Sequence, residues 1–274
     1  MFPLWSISIL LFAVVLGSAA ELGAQIRPLE PLAPRVGRCE RCVEVEVGVG
    51  AFVDQRASPV GAEGLLVDVG MVRLQWRLDR VAFEAAGTVW RWFDARRRFA
   101  DPLSVVEDPS ARVRSDVGDF RIGTIVTVAE ARGASVLLRF GTRLPTTDDA
   151  VGLERDRTDF FATIGGRLAR GAFAATLESG LGIQGTVESH YDQVDVWLYS
   201  AAAEYQWGAL TTGLALVGHT DGLRGPGVRG NENLSELQAD LRIGRRRWAR
   251  LTIVRGLAPY SPRLGAAVSL GLAI

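Results

Sequence analysis

The sequence has no lysine, two histidines and two cysteines, and only 8% of its 274 residues are aromatic. All 31 basic residues are therefore arginine, and 31 acidic residues balance them, so the formal net charge is zero. A nucleic-acid partner is disfavoured, because binding to phosphate needs an excess of cations that releases counterions. A hydrophobic content of 48% excludes a disordered chain.

Long apolar runs are missing from every part of the sequence except its start. Residues 7–16 are apolar apart from Ser8, and the small residues 17–20 follow. This pattern predicts a secretory signal peptide over residues 1–25, since the run is shorter than the roughly 20 residues of a membrane helix. We therefore expect an exported protein that reaches the cell outer membrane without a membrane-spanning helix.

Residues 26–42 carry three prolines and no hydrophobic periodicity, which predicts an extended N-terminal segment. The segment ends in a CxxC motif formed by Cys39 and Cys42. In an exported chain a disulfide between them is the favoured interpretation. A redox motif would need a βαβ context, which is missing. A zinc site would need two further ligands, and Glu44 and Glu46 stand close by in sequence.

From Val43 onward, apolar residues alternate with polar or small ones at a period of two, which predicts β-strands over residues 43–274. Strands of about 10 to 15 residues match the length that a tilted strand needs to cross a membrane, and exceed the usual strand of a soluble protein. One span has its alternation broken near Met71, where we predict a bulge. The predicted strands are 43–53, 65–78, 81–93, 119–131, 135–144, 159–169, 172–186, 194–206, 209–218, 235–244, 247–257 and 264–274.

The connections between these strands alternate in length. Those after the even strands are two or three residues long, and those after the odd strands are longer and hold every proline beyond position 42. This alternation is typical of bacterial outer-membrane barrels, whose strands must close because an open edge in hydrocarbon leaves backbone groups unpaired. We predict an all-β fold, a closed antiparallel transmembrane β-barrel of about 12 strands with short periplasmic turns and long outer loops.

The polar face of the strands predicts the lining of the barrel. An arginine on the lipid side would cost about 2 to 4 kcal/mol, so we assign the charged positions to the interior. Arg73 and Arg77 share this face, and two interpretations stay open: a rigid lattice of ion pairs, or a polar lumen that conducts a solute. We expect four arginines to pair with Glu178, Glu204 and Asp240, namely Arg139, Arg143, Arg242 and Arg250. The predicted lumen-lining residues are Glu44, Glu46, Glu84, Arg121, Arg139, Arg143, Glu178, Glu204, Asp240, Arg242 and Arg250.

Aromatic residues near the predicted strand ends suit interfacial girdles, with a stacking site for an aromatic solute or sugar as the alternative. They are Trp76, Trp90, Trp92, Trp197, Tyr199, Tyr205, Trp207 and Trp248.

The remaining polar residues point to no enzyme. His190 and His219 are interpreted as solvated loop residues. A lipid hydrolase would need a serine and histidine pair such as Ser189 and His190, with Ser200 and Ser235 as weaker candidates. The acidic residues within 148–159 are interpreted as a solvated loop rather than a calcium site, because arginines interrupt them.

A family resemblance rests on residues 138–159, where Arg143-Leu144-Pro145-Thr146-Thr147 ends a strand before an acidic loop. This stretch resembles the Lys-Leu-Pro-Thr-Gly strand end of outer-membrane barrels of the phenol-degradation, meta-pathway transporter family. Here arginine replaces lysine, and threonine replaces glycine. The resemblance implies a porin-like transport role and carries no catalytic residues.

These observations predict a porin-like channel or facilitator for small solutes, including hydrophobic or aromatic ones. The second alternative is a structural or adhesive barrel with a plugged lumen, and the third is an outer-leaflet lipid hydrolase. No cofactor or metal is expected. The expected partners are outer-membrane lipid and lipopolysaccharide, small solutes and the barrel-assembly machinery.

Overall fold

The computed structural model describes residues 27–32, 41–154, 156–185, 193–220 and 233–274. The predicted signal peptide lies outside the described residues. The strands are β1 Arg41–Ala57, β2 Ala62–Leu78, β3 Val81–Arg98, β4 Val113–Asp116, β5 Phe120–Ala131, β6 Ala134–Leu144, β7 Asp159–Arg170, β8 Phe173–Gly185, β9 Gln193–Trp207, β10 Leu210–Thr220, β11 Leu234–Ile243, β12 Arg247–Gly256 and β13 Leu264–Ala273.

The strands form one closed antiparallel ring, as predicted. Each strand pairs with its neighbours in chain order, and β1 pairs with β13 from Glu44↔Ala273 to Val53↔Leu264. Both β4 and β5 pair with β3, so together they occupy one strand position of a 12-strand barrel. The pairing of β1 with β13 closes the ring, which is the condition for a strand structure in hydrocarbon, and of the described strands only the short β4 has a single neighbour.

The two faces of the wall follow the alternation of the sequence. In β1, Val47 and Val49 are exposed on the outside, whereas Glu46 and Phe52 are buried inside. Leu177 and Leu270 are 66% and 68% exposed on other strands. Apolar side chains without a protein partner thus surround the barrel, as expected for a surface that faces lipid.

The two ends of the barrel differ. At one end, which we name the short-turn end, two or three residues join β2 to β3, β5 to β6, β7 to β8, β9 to β10 and β11 to β12. The Arg132-Gly133 turn has positive φ at both residues, the type I′ geometry that joins twisted strands. The opposite end, which we name the long-loop end, carries residues 99–112 and 145–158.

Three features differ from, or refine, the predicted strands. The first connection was predicted as a long loop over 54–64, but β1 and β2 extend further and a tight turn over 58–61 joins them. The predicted loop 94–118 also contains the end of β3 and the short β4. The predicted bulge near Met71 is confirmed at Gly70, where the register with β1 shifts and φ is +67°.

The largest apolar cluster of the interior lies at the long-loop end. Phe52, Leu66, Phe93 and Val254 contribute from the strands, and Leu153 inserts from the 145–158 loop. All of these side chains are almost fully buried. The loop therefore folds into the mouth of the barrel and narrows it. Within the described residues, no helix is both long and apolar enough to cross a membrane.

Candidate functional site

Residues 27–32 lie inside the barrel and are anchored at their start. Arg27 forms an ion pair with Glu236 at 2.8 Å, and Glu236 has no exposed side-chain surface. The Arg27 guanidinium also lies 4.0 Å from the centre of the Phe52 ring. Arg121 donates hydrogen bonds to the carbonyls of Arg27 and Pro28 at 3.1 and 3.2 Å. These contacts fix the segment to opposite parts of the wall.

The same segment is also held at its middle and end. The Glu30 carboxylate pairs with Arg73 at 2.8 Å, and its carbonyl accepts a hydrogen bond from Arg139 at 2.8 Å. Thr176 donates to the Leu32 carbonyl at 2.9 Å. The Leu32 side chain packs in a small apolar cluster formed from β3, β5 and β6. Residues 27–32 thus act as an internal partition that fills the side of the lumen bounded by β3 to β8.

An ion-pair lattice crosses the middle of this filled side. Arg139 contacts Glu84 at 2.5 Å and Glu178 at 3.4 Å. Glu178 also accepts hydrogen bonds from the hydroxyls of Thr163 and Ser200. Since Arg139 and Glu178 are buried and Glu84 is half-buried, each charge is stabilised mainly by its partners rather than by water.

A second lattice closes part of the long-loop mouth. Arg91 pairs with Asp68 and Glu154 at 2.7 Å each. Arg143 pairs with Asp119 at 2.6 Å and Asp159 at 2.8 Å. The loop carboxylate of Glu154 therefore bridges the loop to the wall.

Asp119 and Glu154, two carboxyl groups in the connections between strands, have pKa values shifted in opposite directions. Burial and the negative charge of Glu154 raise the pKa of Asp119 well above its usual range. Burial alone would also raise the pKa of Glu154, but the Arg91 guanidinium, a hydrogen bond with Asp119 and the charge of Arg143 lower that pKa to about 2. At neutral pH the loop carboxylate is therefore ionised against Arg91.

A cavity of about 170 Å³ remains beside the internal partition. One of its sides is formed by the partition itself, through Arg27 and Glu30, and the other by β1 to β3 and β9 to β13. The second side is lined by small residues, including Gly48, Ala202 and Gly213, so space is left there. The cavity reaches Asp119 and Glu154 of the long-loop mouth.

Charged groups meet at the short-turn end of the cavity. Arg250 contacts Glu46 at 3.3 Å and Asp240 at 3.6 Å. The hydroxyl of Ser269 also donates to Glu46 at 2.5 Å. Glu204 lines the same part of the cavity without an ion pair. Carboxylates and guanidinium groups thus line the cavity together with apolar residues, and carboxylates gather near this end.

The fold has known counterparts among solved structures. An outer-membrane channel from Pseudomonas putida F1 superposes with a TM-score of 0.62 at 12% identity, covering 90% of this chain and 100% of that one. The two proteins share a fold. A bacterial polysaccharide outer-membrane secretin covers 86% of this chain and 100% of its own at 9% identity, with a TM-score of 0.41. No family model and no curated protein matches the sequence.

The structure places the predicted lumen-lining residues on the inner face, where they fall into three groups. Glu84, Arg121, Arg139, Arg143 and Glu178 lie on the side that carries the partition. Glu46, Glu204, Asp240 and Arg250 line the open cavity. Glu44 and Arg242 are half-buried near the short-turn end. That they line a conducting path remains a prediction.

The predicted pairing holds for Arg139 with Glu178 and for Arg250 with Asp240. It does not hold for Arg143, whose partners come from the strand connection and the start of β7. Arg242 donates to Thr211 and lies 5.9 Å from the Trp248 ring instead of pairing with Glu204.

Sequence reasoning missed several interior charges. Asp68 and Glu236 could have been found, since they share the polar parity of their strands. Arg27, Glu30 and Glu154 belong to stretches without periodicity, so no sequence signal places them inside.

Two side-chain environments correct the predictions. Trp248 was assigned to an outer girdle but is buried inside, where its indole donates to Glu46 at 3.4 Å. Trp76, Trp90, Trp197 and Trp207 are exposed. His219 was predicted as a solvated loop residue, but it lies in β10 and is 2% exposed.

The described residues include only part of the other candidate sites. Cys42 is disulfide-bonded, and Cys39 lies outside the described residues. Ser189 and His190 also lie outside them, and Ser200 donates to Glu178. The 148–159 region was predicted to be solvated, yet Glu154 is buried, and arginines pair with Asp149, Glu154 and Asp159. The described residues hold no group of three or more His, Cys, Asp or Glu that could bind a metal ion.

Proposed function

We propose that the protein is an outer-membrane channel through which small polar solutes pass beside the internal partition. The observation that carries the proposal is the cavity of about 170 Å³ between the internal partition and the wall of β1 to β3 and β9 to β13. An apolar outer surface and a closed strand ring support placement in a membrane. In this arrangement the short-turn end faces the periplasm.

The chemistry of the passage favours polar solutes over hydrophobic or aromatic ones. The cavity is lined by carboxylates and guanidinium groups, among them Glu46, Asp240 and Arg250. An apolar solute would have to displace water from these charges without replacing its hydrogen bonds, which is unfavourable. The resemblance at residues 143–147 to the phenol-degradation transporters supports a transport role in general.

The proposal is tested with the purified mature chain in lipid vesicles and planar bilayers. We expect vesicles loaded with a large polysaccharide to swell in glycine or arabinose, and single channels of small conductance in potassium chloride. Vesicles without protein and vesicles with heat-denatured protein are the controls. Neither swelling nor conductance, with correctly folded protein in the vesicles, would refute a channel.

One observation favours a second function, a structural barrel with a closed lumen. The partition is attached by ion pairs at Arg27 and Glu30 and by hydrogen bonds to its backbone. If these contacts close the passage in the membrane, no solute enters the vesicles at any size. The swelling experiment therefore separates the two functions.

A further inference from the structure

A notch in the wall of the cavity lies between two carboxylates at the short-turn end. Gly213 of β10 pairs with Glu204 of β9 on one side and with Asp240 of β11 on the other. Residues directly opposite each other in a sheet project to the same face, so the two acids flank the glycine on the inner face. A methyl group at Gly213 would lie 3.4 Å from both Glu204 Cγ and Asp240 Cβ. The absence of a side chain here leaves the space between the acids open.

One carboxylate oxygen of Glu204 is left without a hydrogen-bond donor in the described part of the structure. Only 8% of the residue is exposed, and its Oε2 has no hydrogen-bond partner. Arg242, Arg250 and Arg167 act on its charge through space. The direct contacts of Arg242 and Arg250 go to other side chains. A buried acceptor without a donor is unfavourable. Glu204 is therefore suited to a hydrogen-bond donor that comes from outside the protein.

Asp240 can contribute a second acceptor on the other side of the notch. Its contacts with the Thr252 hydroxyl at 2.6 Å and Arg250 at 3.6 Å both involve Oδ1. The residue is half-buried and lines the cavity. Oδ2 is thus left to face a ligand in the notch.

We propose that Glu204 and Asp240 bind the cationic group of a permeating solute, and that this solute is a small organic molecule with a protonated amine. This inference rests on the proposed channel function and specifies its substrate class. An ammonium group donates several hydrogen bonds and matches two separated carboxylates. A metal ion is less well matched, since the described residues provide no cluster of three or more ligands.

The test measures block of potassium current by propylammonium chloride in planar bilayers, with 1-propanol as the uncharged analogue. We expect the wild-type channel to be cation-selective, to be blocked by propylammonium and to be insensitive to propanol. Glu204→Gln should weaken the block by about tenfold, since a charge-assisted hydrogen bond is replaced by a neutral one. Gly213→Ala should weaken the block while the potassium conductance persists, because the added methyl fits without a steric clash.

Glu130→Gln is the matched control. It removes one carboxylate from an exposed position near the same end of the barrel, outside the cavity, so block should be unchanged. Equal block of the wild type and Glu204→Gln, or absence of block in a conducting wild type, would overturn the site and leave the channel intact. If the wild type does not conduct, binding of propylammonium to the detergent-solubilised barrel is measured by saturation-transfer NMR. Binding lost in Glu204→Gln would then support the site and refute the channel, and binding unaffected by the substitution would overturn the site.

Discussion

The attachment of the internal partition through Arg27 and Glu236 gives a quantitative prediction. Arg27→Ala removes the ion pair at 2.8 Å and the contact with the Phe52 ring at 4.0 Å. Among the described residues, it leaves Glu236, which has no exposed side-chain surface, with only Gln238 as a side-chain hydrogen-bond donor. We expect the variant to be clearly less stable than the wild type.

The magnitude follows from the burial of the pair. Removal of one partner of a buried ion pair costs about 3 to 5 kcal/mol, because an uncompensated charge remains. The lost contact with the aromatic ring adds about 0.5 to 2 kcal/mol. Glu236→Gln should also lower the free energy of unfolding, but combining it with Arg27→Ala removes the uncompensated charge. The loss in the double variant should therefore be smaller than the sum of the two single losses by at least about 2 kcal/mol.

The assay is urea unfolding of the refolded barrel in lipid vesicles, followed by tryptophan fluorescence and by heat-modifiable migration on a gel. All four proteins of the double-mutant cycle are compared under the same conditions. Single-channel recordings of the same variants report the passage, whose conductance should rise in Arg27→Ala as the partition loosens.

Additive effects of the two substitutions, together with an unchanged conductance, would refute this arrangement. They would mean that residues 27–32 do not occupy the lumen when the barrel is in a membrane. Non-additive effects of the two substitutions with an unchanged conductance would support the ion pair but would show that residues 27–32 do not limit the conductance.

Two further predictions concern the wall and the mouth. Leu177→Arg should destabilise the barrel in vesicles by about 2 to 4 kcal/mol, because this exposed side chain faces lipid. The control, Leu257→Arg, lies in a connection at the long-loop end and should have little effect. Equal losses of stability in an unfolding titration would contradict the assigned lipid face. Glu154→Gln should cost about 3 kcal/mol at neutral pH, because Glu154 is buried and held ionised against Arg91. Since the pKa of Glu154 is lowered from 4.5 to about 2, the advantage of the wild type over Glu154→Gln should be complete above pH 5 and should disappear as the pH falls towards 2, which unfolding measured across this range checks.

The pattern of residues along the chain is enough to predict the class of fold and the two faces of its wall. A period of two sorts side chains between lipid and interior, and lipid penalises each polar group that faces it, so the alternation in segments such as Val43–Ala51 has one stable arrangement. The alternation of short and long connections then determined a closed barrel of about 12 strands, because each hairpin is a local feature. For the same reason, the inward position of Glu204, Asp240 and Arg250 could be predicted residue by residue.

The contents of the lumen and the pairing of its charges depend on contacts that form only in the folded barrel. Residues 27–32 have no periodicity, so their position depends on contacts with strands distant in sequence, such as Arg27 with Glu236. Glu154 and Trp248 were misplaced for a related reason. A side chain in a loop or at a strand end can point into the barrel or away from it. Its direction depends on the partner that closure of the barrel brings close, which is Arg91 for Glu154 and Glu46 for Trp248. Parity gives the face of a residue, whereas pairing across a lumen depends on the register of strands that meet only after the barrel has closed.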